Sequence, residues 1–160
     1  MKGNQKVLDQ LNAALSAELT AIVQYMTQSE MCGNWGYARL ADRTKARAME
    51  EMHHAEGLIE RIIFFDSIPD VGVGLKPRLG KNVEEQMQIN FEDERDAVRQ
   101  YNAAAEVCVQ QKDDGTRALF EHMIKDEERH AEYLEAQLHM MKEMGIANYL
   151  AQHLHSEEGS

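Results

Sequence analysis

Both prolines of this 160-residue chain, Pro69 and Pro77, fall inside one stretch, residues 66–81, together with Gly72, Gly74 and Gly80. Proline removes a backbone donor and clashes with the turn before it, so long helices can form everywhere except there. The rest of the chain is rich in Ala, Leu, Met, Glu and Gln, which favour helix, and lacks β-branched runs of strand length. Each flank is interrupted once more, at Gly33-Asn34 and at Asp113-Asp114-Gly115. The expected class is all-α: two helical hairpins joined by one long connection. Nothing in the composition divides residues 1–160 into more than one domain.

Apolar residues at helical spacing define the elements. The first helix is expected over about 6–32, with Leu8, Leu11, Leu15, Ile22 and Met26 as its stripe. Asn34 is a candidate cap for a second helix over 35–65, which carries Leu58, Ile62 and Phe65. Asn82-Val83-Glu84-Glu85 has the form of a capping box for a third helix over 82–111. A fourth is expected over 116–144, ended by Gly145 in a left-handed cap, with a short fifth over 146–155. A helix of about 28 residues is roughly 42 Å long, and about 16 extended residues reach roughly 53 Å. The 66–81 connection can therefore cross the whole bundle, which gives the four-helix arrangement with a single crossover.

The formal net charge of −11 disfavours a nucleic-acid partner, which needs clustered Lys and Arg. No apolar run reaches membrane-spanning length, and Met1–Lys6 is not followed by the apolar segment of a secretion signal, so a cytoplasmic location is expected. Cys32 and Cys108 stand apart with no C-x-x-C, which leaves them as packed thiols.

Chemistry appears where polar residues interrupt the apolar stripes. Glu18 shares a face with Leu11, Leu15, Ile22 and Tyr25, and Glu94 with Met87, Val98 and Tyr101. The second and fourth helices each carry a Glu-x-x-His pair, which places a carboxylate and an imidazole on one helix face. On the fourth, Glu127 and His130 align with Met123, Leu134 and Leu138. The second can be read as Glu50/His53 or Glu51/His54; stepping back by turns from Phe65 and Leu58 selects Glu51 and His54 as the inward pair. Four carboxylates meeting in a core cannot all ionise without counter-charge, and two divalent cations balance them. Oxygen ligands with one imidazole per ion suit iron or manganese, and zinc also fits. In this arrangement Glu51 and Glu127 bridge, and Glu18 and Glu94 are terminal. Asn90 and Asp126 are candidate partners for the outer nitrogens of the histidines.

The chain resembles the bacterioferritins along its whole length, from Met1-Lys2-Gly3 and Asn34-Trp35-Gly36 through Asp126-Glu127-Glu128 to Met144-Gly145 and Asn148-Tyr149-Leu150. The resemblance implies a ferritin-like domain whose diiron ferroxidase ligands are Glu18, Glu51, His54, Glu94, Glu127 and His130, with Tyr25 beside the centre. It implies iron storage: Fe(II) is oxidised by O2 or H2O2, and ferric mineral is kept inside a shell of about 24 subunits built from dimers. It also implies a b-type or related haem between two subunits, with Met52 from each as axial ligand, and a small ferredoxin as reductant for iron release. Some members carry a His and an Asp as a cavity-side iron site where this chain has Ala46 and Glu50. Here Glu50 and His53, one turn apart, are a candidate substitute. The alternative function is a diiron or dimanganese peroxidase or catalase without a cage, of the rubrerythrin-like type. The missing C-x-x-C pairs count against rubrerythrin itself. A DNA-protecting mini-ferritin is disfavoured because its ligands lie between subunits.

Overall fold

A computed structural model describes residues 1–72 and 74–155. It contains five helices, α1 (Gln5–Asn34), α2 (Ala38–Phe64), α3 (Val83–Gln110), α4 (Asp114–Met144) and α5 (Ile146–Ala151), and no strand among the described residues. α1 packs chiefly on α2 and α3 on α4, and α1 against α3 joins the two hairpins. The result is the ferritin-like four-helix bundle with a short C-terminal helix. None of the helices is long and apolar enough to cross a membrane.

The helix ends refine the sequence reading. α1 does not stop at Gly33; it continues to Asn34, and the chain reverses at Gly36, whose φ of 93° suits a residue without a Cβ. Asn34 is therefore inside α1 and cannot cap α2, which starts after Tyr37 with no side-chain cap. At α3, Asn82 Oδ1 accepts from the Glu85 N–H at 2.9 Å, whereas the Glu85 carboxylate accepts from Lys81 N at 2.7 Å rather than from the cap residue itself. α4 starts earlier than Thr116 because Asp113 caps it, accepting from both the Thr116 N–H and its hydroxyl. Gly145 has φ 79° and ψ 147°, an extended conformation open to glycine rather than the left-handed helical cap. α5 ends at Ala151, after which the His153 carbonyl accepts from Arg39 N at 3.1 Å and ties the segment to the start of α2.

The crossover is fastened along α1. Asp70 N donates to Asn12 Oδ1, Arg78 N donates to Gln24 Oε1, and the Gln28 amide donates to the carbonyls of Arg78 and Leu79. Asn12 and Gln28 are about 24 Å apart on a helix, so the connection runs along most of the bundle. Two apolar clusters fill the interior. One is built around Leu11, Leu15, Leu58, Ile62, Phe120 and Met123, the other around Leu40, Met87, Leu134 and Tyr149. The polar site lies between them.

Gly80 (φ 73°) closes the crossover against α3, and a Cβ there would meet the Gln86 backbone nitrogen at 2.9 Å. Gly80→Ala is expected to cost about 1–3 kcal/mol, from strained backbone and lack of room. Thermal denaturation of the two proteins checks this; an unchanged midpoint contradicts it.

Candidate metal centre

Helical register brings one stripe residue from each of α1 and α3, and two from each of α2 and α4, to a single point at mid-bundle. Glu18, Glu51, His54, Glu94, Glu127 and His130 are all buried, none more than 6% exposed. They form two overlapping groups, Glu18, Glu51, His54 and Glu127 in one and Glu51, Glu94, Glu127 and His130 in the other. In each group, one ligand atom per residue lies within 4.8 Å of all the others. Glu51 and Glu127 belong to both. Glu51 turns Oε2 toward His54 Nδ1 at 3.4 Å and Oε1 toward His130 Nδ1 at 3.3 Å, one oxygen to each half.

Buried polar atoms are normally paired, yet each of these six residues leaves one buried atom with no hydrogen bond. They are Glu18 Oε2, Glu51 Oε1, His54 Nδ1, Glu94 Oε2, Glu127 Oε1 and His130 Nδ1. In Glu18, Glu94 and the two histidines the other polar atom is held from outside the cluster. Tyr101 Oη donates to Glu18 Oε1 and Tyr25 Oη to Glu94 Oε1, both at 2.5 Å. His54 Nε2 bonds Asp126 Oδ2 at 2.8 Å, and His130 Nε2 bonds Glu50 Oε2 at 2.5 Å. With each Nε2 turned to a carboxylate, Nδ1 is the nitrogen that faces the cluster and, once unprotonated, offers its lone pair to a metal. The donor set of oxygens plus one imidazole nitrogen per group fits hard to borderline divalent ions such as Fe(II) or Mn(II).

These four partners follow from a pattern that the apolar stripes alone do not expose. An acid precedes each pair, as Glu50-Glu51-x-x-His54 and Asp126-Glu127-x-x-His130, and a tyrosine follows each lone glutamate by seven residues, as Glu18/Tyr25 and Glu94/Tyr101. The site is a near-repeat of one half in the other. Asp126 is the outer partner of His54, but Asn90 is not a partner of either histidine; its amide donates to Gln28 Oε1 and its carbonyl accepts from Gln24. Of the candidate substitute pair, Glu50 turns to His130 and Arg129, while exposed His53 lies 3.8 Å from Glu56. Met52 is on the outer side of α2, 36% exposed, one turn from exposed Met49. A cleft of about 350 Å3 between α1, α3 and the crossover reaches Glu18 and Glu94 past Arg78.

Burial governs the protonation of the cluster. It raises Glu18 well above the usual carboxylate range, aided by the Glu51 charge, and raises Glu94 likewise, aided by Glu127. Glu127 is pushed up to about 7, by burial first. Glu51 goes the other way: burial pulls it up, but its contacts with Glu18, His54 and Arg47 outweigh that and hold it low. Burial disfavours the His54 imidazolium, but Glu127, Glu18 and Glu51 outweigh it and raise the His54 pKa. Left to its own side chains, the site balances its carboxylates with protons, which a divalent cation must displace.

A carboxyl whose folded pKa is raised stabilises the fold below its unfolded value and loses that contribution as pH rises through the folded value. For Glu127 the window runs from the unperturbed 4.5 to about 7. Added Co(II) or Zn(II) is therefore expected to raise the melting temperature little near pH 5 and strongly near about pH 7.5. Melting curves with and without metal across this range test it; a pH-independent increment contradicts it.

A family model for the ferritin-like domain matches residues 8–144. A bacterioferritin of Mycolicibacterium paratuberculosis is 38% identical over 152 residues, 95% of this chain and 96% of that protein. One from Brucella melitensis is 39% identical over 93% of this chain and 92% of its own length. One from Rhodobacter capsulatus is 36% identical over 91% and 90%.

Proposed function

The chain belongs to the bacterioferritin family of ferritin-like proteins, and from that membership we propose that it stores iron, oxidising Fe(II) at the six-residue cluster. The observation that carries this reading is the set of six buried, unpaired ligand atoms in two overlapping groups. Fe(II) is the substrate. Each half-site takes one ion, and Glu51 and Glu127 hold both together, so that one oxidant molecule receives an electron from each. With O2, two Fe(II) and two protons give two Fe(III) and H2O2; with H2O2 as oxidant, two Fe(II) and two protons give two Fe(III) and two waters. The protein contributes carboxylate oxygens that favour the higher charge of Fe(III), and it accepts and returns protons at Glu18, Glu94 and Glu127. His54 and His130 bind through Nδ1 only when that nitrogen is unprotonated, so oxidation slows at acid pH. Tyr25, hydrogen-bonded to Glu94, belongs to the same catalytic unit.

Ferric product is stored in a shell of about 24 copies assembled from dimers, in the cytoplasm. Met52, exposed on a stripe of α2 with Met49 and Ile63, would hold a haem together with the same residue of a second copy. A b-type haem held there would supply one-electron transfer, with a small ferredoxin as the reductant for iron release.

The test uses anaerobic Fe(II) loading followed by an O2 or H2O2 pulse. Glu18→Ala and His130→Ala are expected to slow oxidation by at least about a hundredfold, since even outer-partner losses cost about 10–100-fold. Wild-type rates in either variant overturn the assignment. Native mass on protein expressed with iron reads shell size and haem content; Met52→Leu is expected to lose haem and retain Fe(II) oxidation.

A further inference from the structure

Nothing in the family-level reading gives a role to Tyr101, and packing alone explains its ring, which lies 5.9 Å from Phe120 in the apolar core. Its hydroxyl does something more specific. Tyr101 is 1% exposed, and its Oη donates to Glu18 Oε1 at 2.5 Å, while the second oxygen of that carboxylate, Oε2, is left unpaired and buried in the cluster. Tyr25 stands in the same relation to Glu94: the bond is 2.5 Å, and again Oε2 is the unpaired oxygen. Each tyrosine stands seven residues after its own helix's glutamate but bonds the glutamate of the other helix. The two phenols thus cross between α1 and α3 and brace the terminal carboxylates reciprocally.

We propose that Tyr101 is a positioning residue for the Glu18/His54 half of the metal site, the counterpart of Tyr25 for the Glu94/His130 half. A carboxylate can rotate and can bind through either oxygen. A hydrogen bond on Oε1 fixes the rotamer and presents Oε2 to the ion, so losing it frees Glu18 to turn away. With both phenols present the halves are matched, and two divalent ions load as a pair. This inference rests on the metal-site reading above and adds the claim that each half has its own tyrosine.

Anaerobic Co(II) titration, followed by the visible d–d absorption of the bound ion, tests it without reference to turnover. Wild type is expected to take two equivalents per chain in one class. Tyr101→Phe keeps the ring and loses the hydroxyl; it is expected to retain one equivalent at wild-type affinity and weaken the other by about 10–100-fold. Tyr25→Phe is expected to give the same split, and the double variant a single weaker class. Tyr101→Met, smaller but flexible and also without a hydroxyl, repeats the measurement should the Phe variant fail to fold. Two unaltered equivalents in either Tyr101 variant, or equal weakening of both, overturn the role of Tyr101 and leave the metal site standing. Failure of wild type to bind two equivalents overturns both.

Discussion

Four carboxylates buried at one point set the terms for the rest of this structure. Burying one ionised carboxylate without compensation costs several kcal/mol, and neighbouring like charges add to it. Glu18, Glu51, Glu94 and Glu127 are tolerable in a core only because cations or protons can balance them. Their raised pKa values, Glu51 excepted, describe the proton solution. The two imidazoles and the six unpaired atoms describe the metal one. Such a site is costly to leave unbalanced and strongly stabilised by the ions it is shaped for.

The surrounding bundle serves this requirement. Long helices allow each side of the site to be held from two turns at once, so the ligands sit on rigid elements rather than loops. The apolar clusters above and below pack the bundle at either end of the ligand atoms, and the cleft between α1 and α3 is the approach to them. An outer ring of polar partners takes up the other face of four of the six ligands: tyrosines on the terminal glutamates, Asp126 and Glu50 on the histidines. Arg129 touches both of those acids, at 3.3 Å to Glu50 and 3.4 Å to Asp126, and offsets their charge at the rim. The crossover lies along α1, and Arg78, paired with Asp93, sits at the mouth of the cleft that reaches the site.

Much of this was legible in the residues. The two prolines located the crossover, and the stripes identified which glutamates interrupt an apolar face. They also separated Glu51 from Glu50, because Leu58 and Phe65 continue only one of the two registers, and Glu51 is buried while Glu50 is partly exposed. What the stripes could not show is where a long side chain bends once its helix is in place. Glu50 is off the stripe and reads as solvated, yet its carboxylate reaches across to His130 on α4. Asn90 is on the stripe and near the site, yet its amide is taken by Gln24 and Gln28. Tyr101 reads as one more apolar residue, because periodicity registers its ring and not its hydroxyl. Helix ends were misplaced for a related reason: Gly33 and Gly36 are equivalent as letters, and only backbone geometry shows that the reversal occurs at Gly36.

The central claim is that the six unpaired atoms mark the places of two ions. Anomalous diffraction at the iron edge, from crystals soaked anaerobically with Fe(II), measures this directly. The account requires two peaks per chain about 3.5–4 Å apart. One should touch Glu18 and His54 and the other Glu94 and His130, with Glu51 and Glu127 shared. A single peak, or density only at the Glu50 and His53 rim with none inside the bundle, would contradict it.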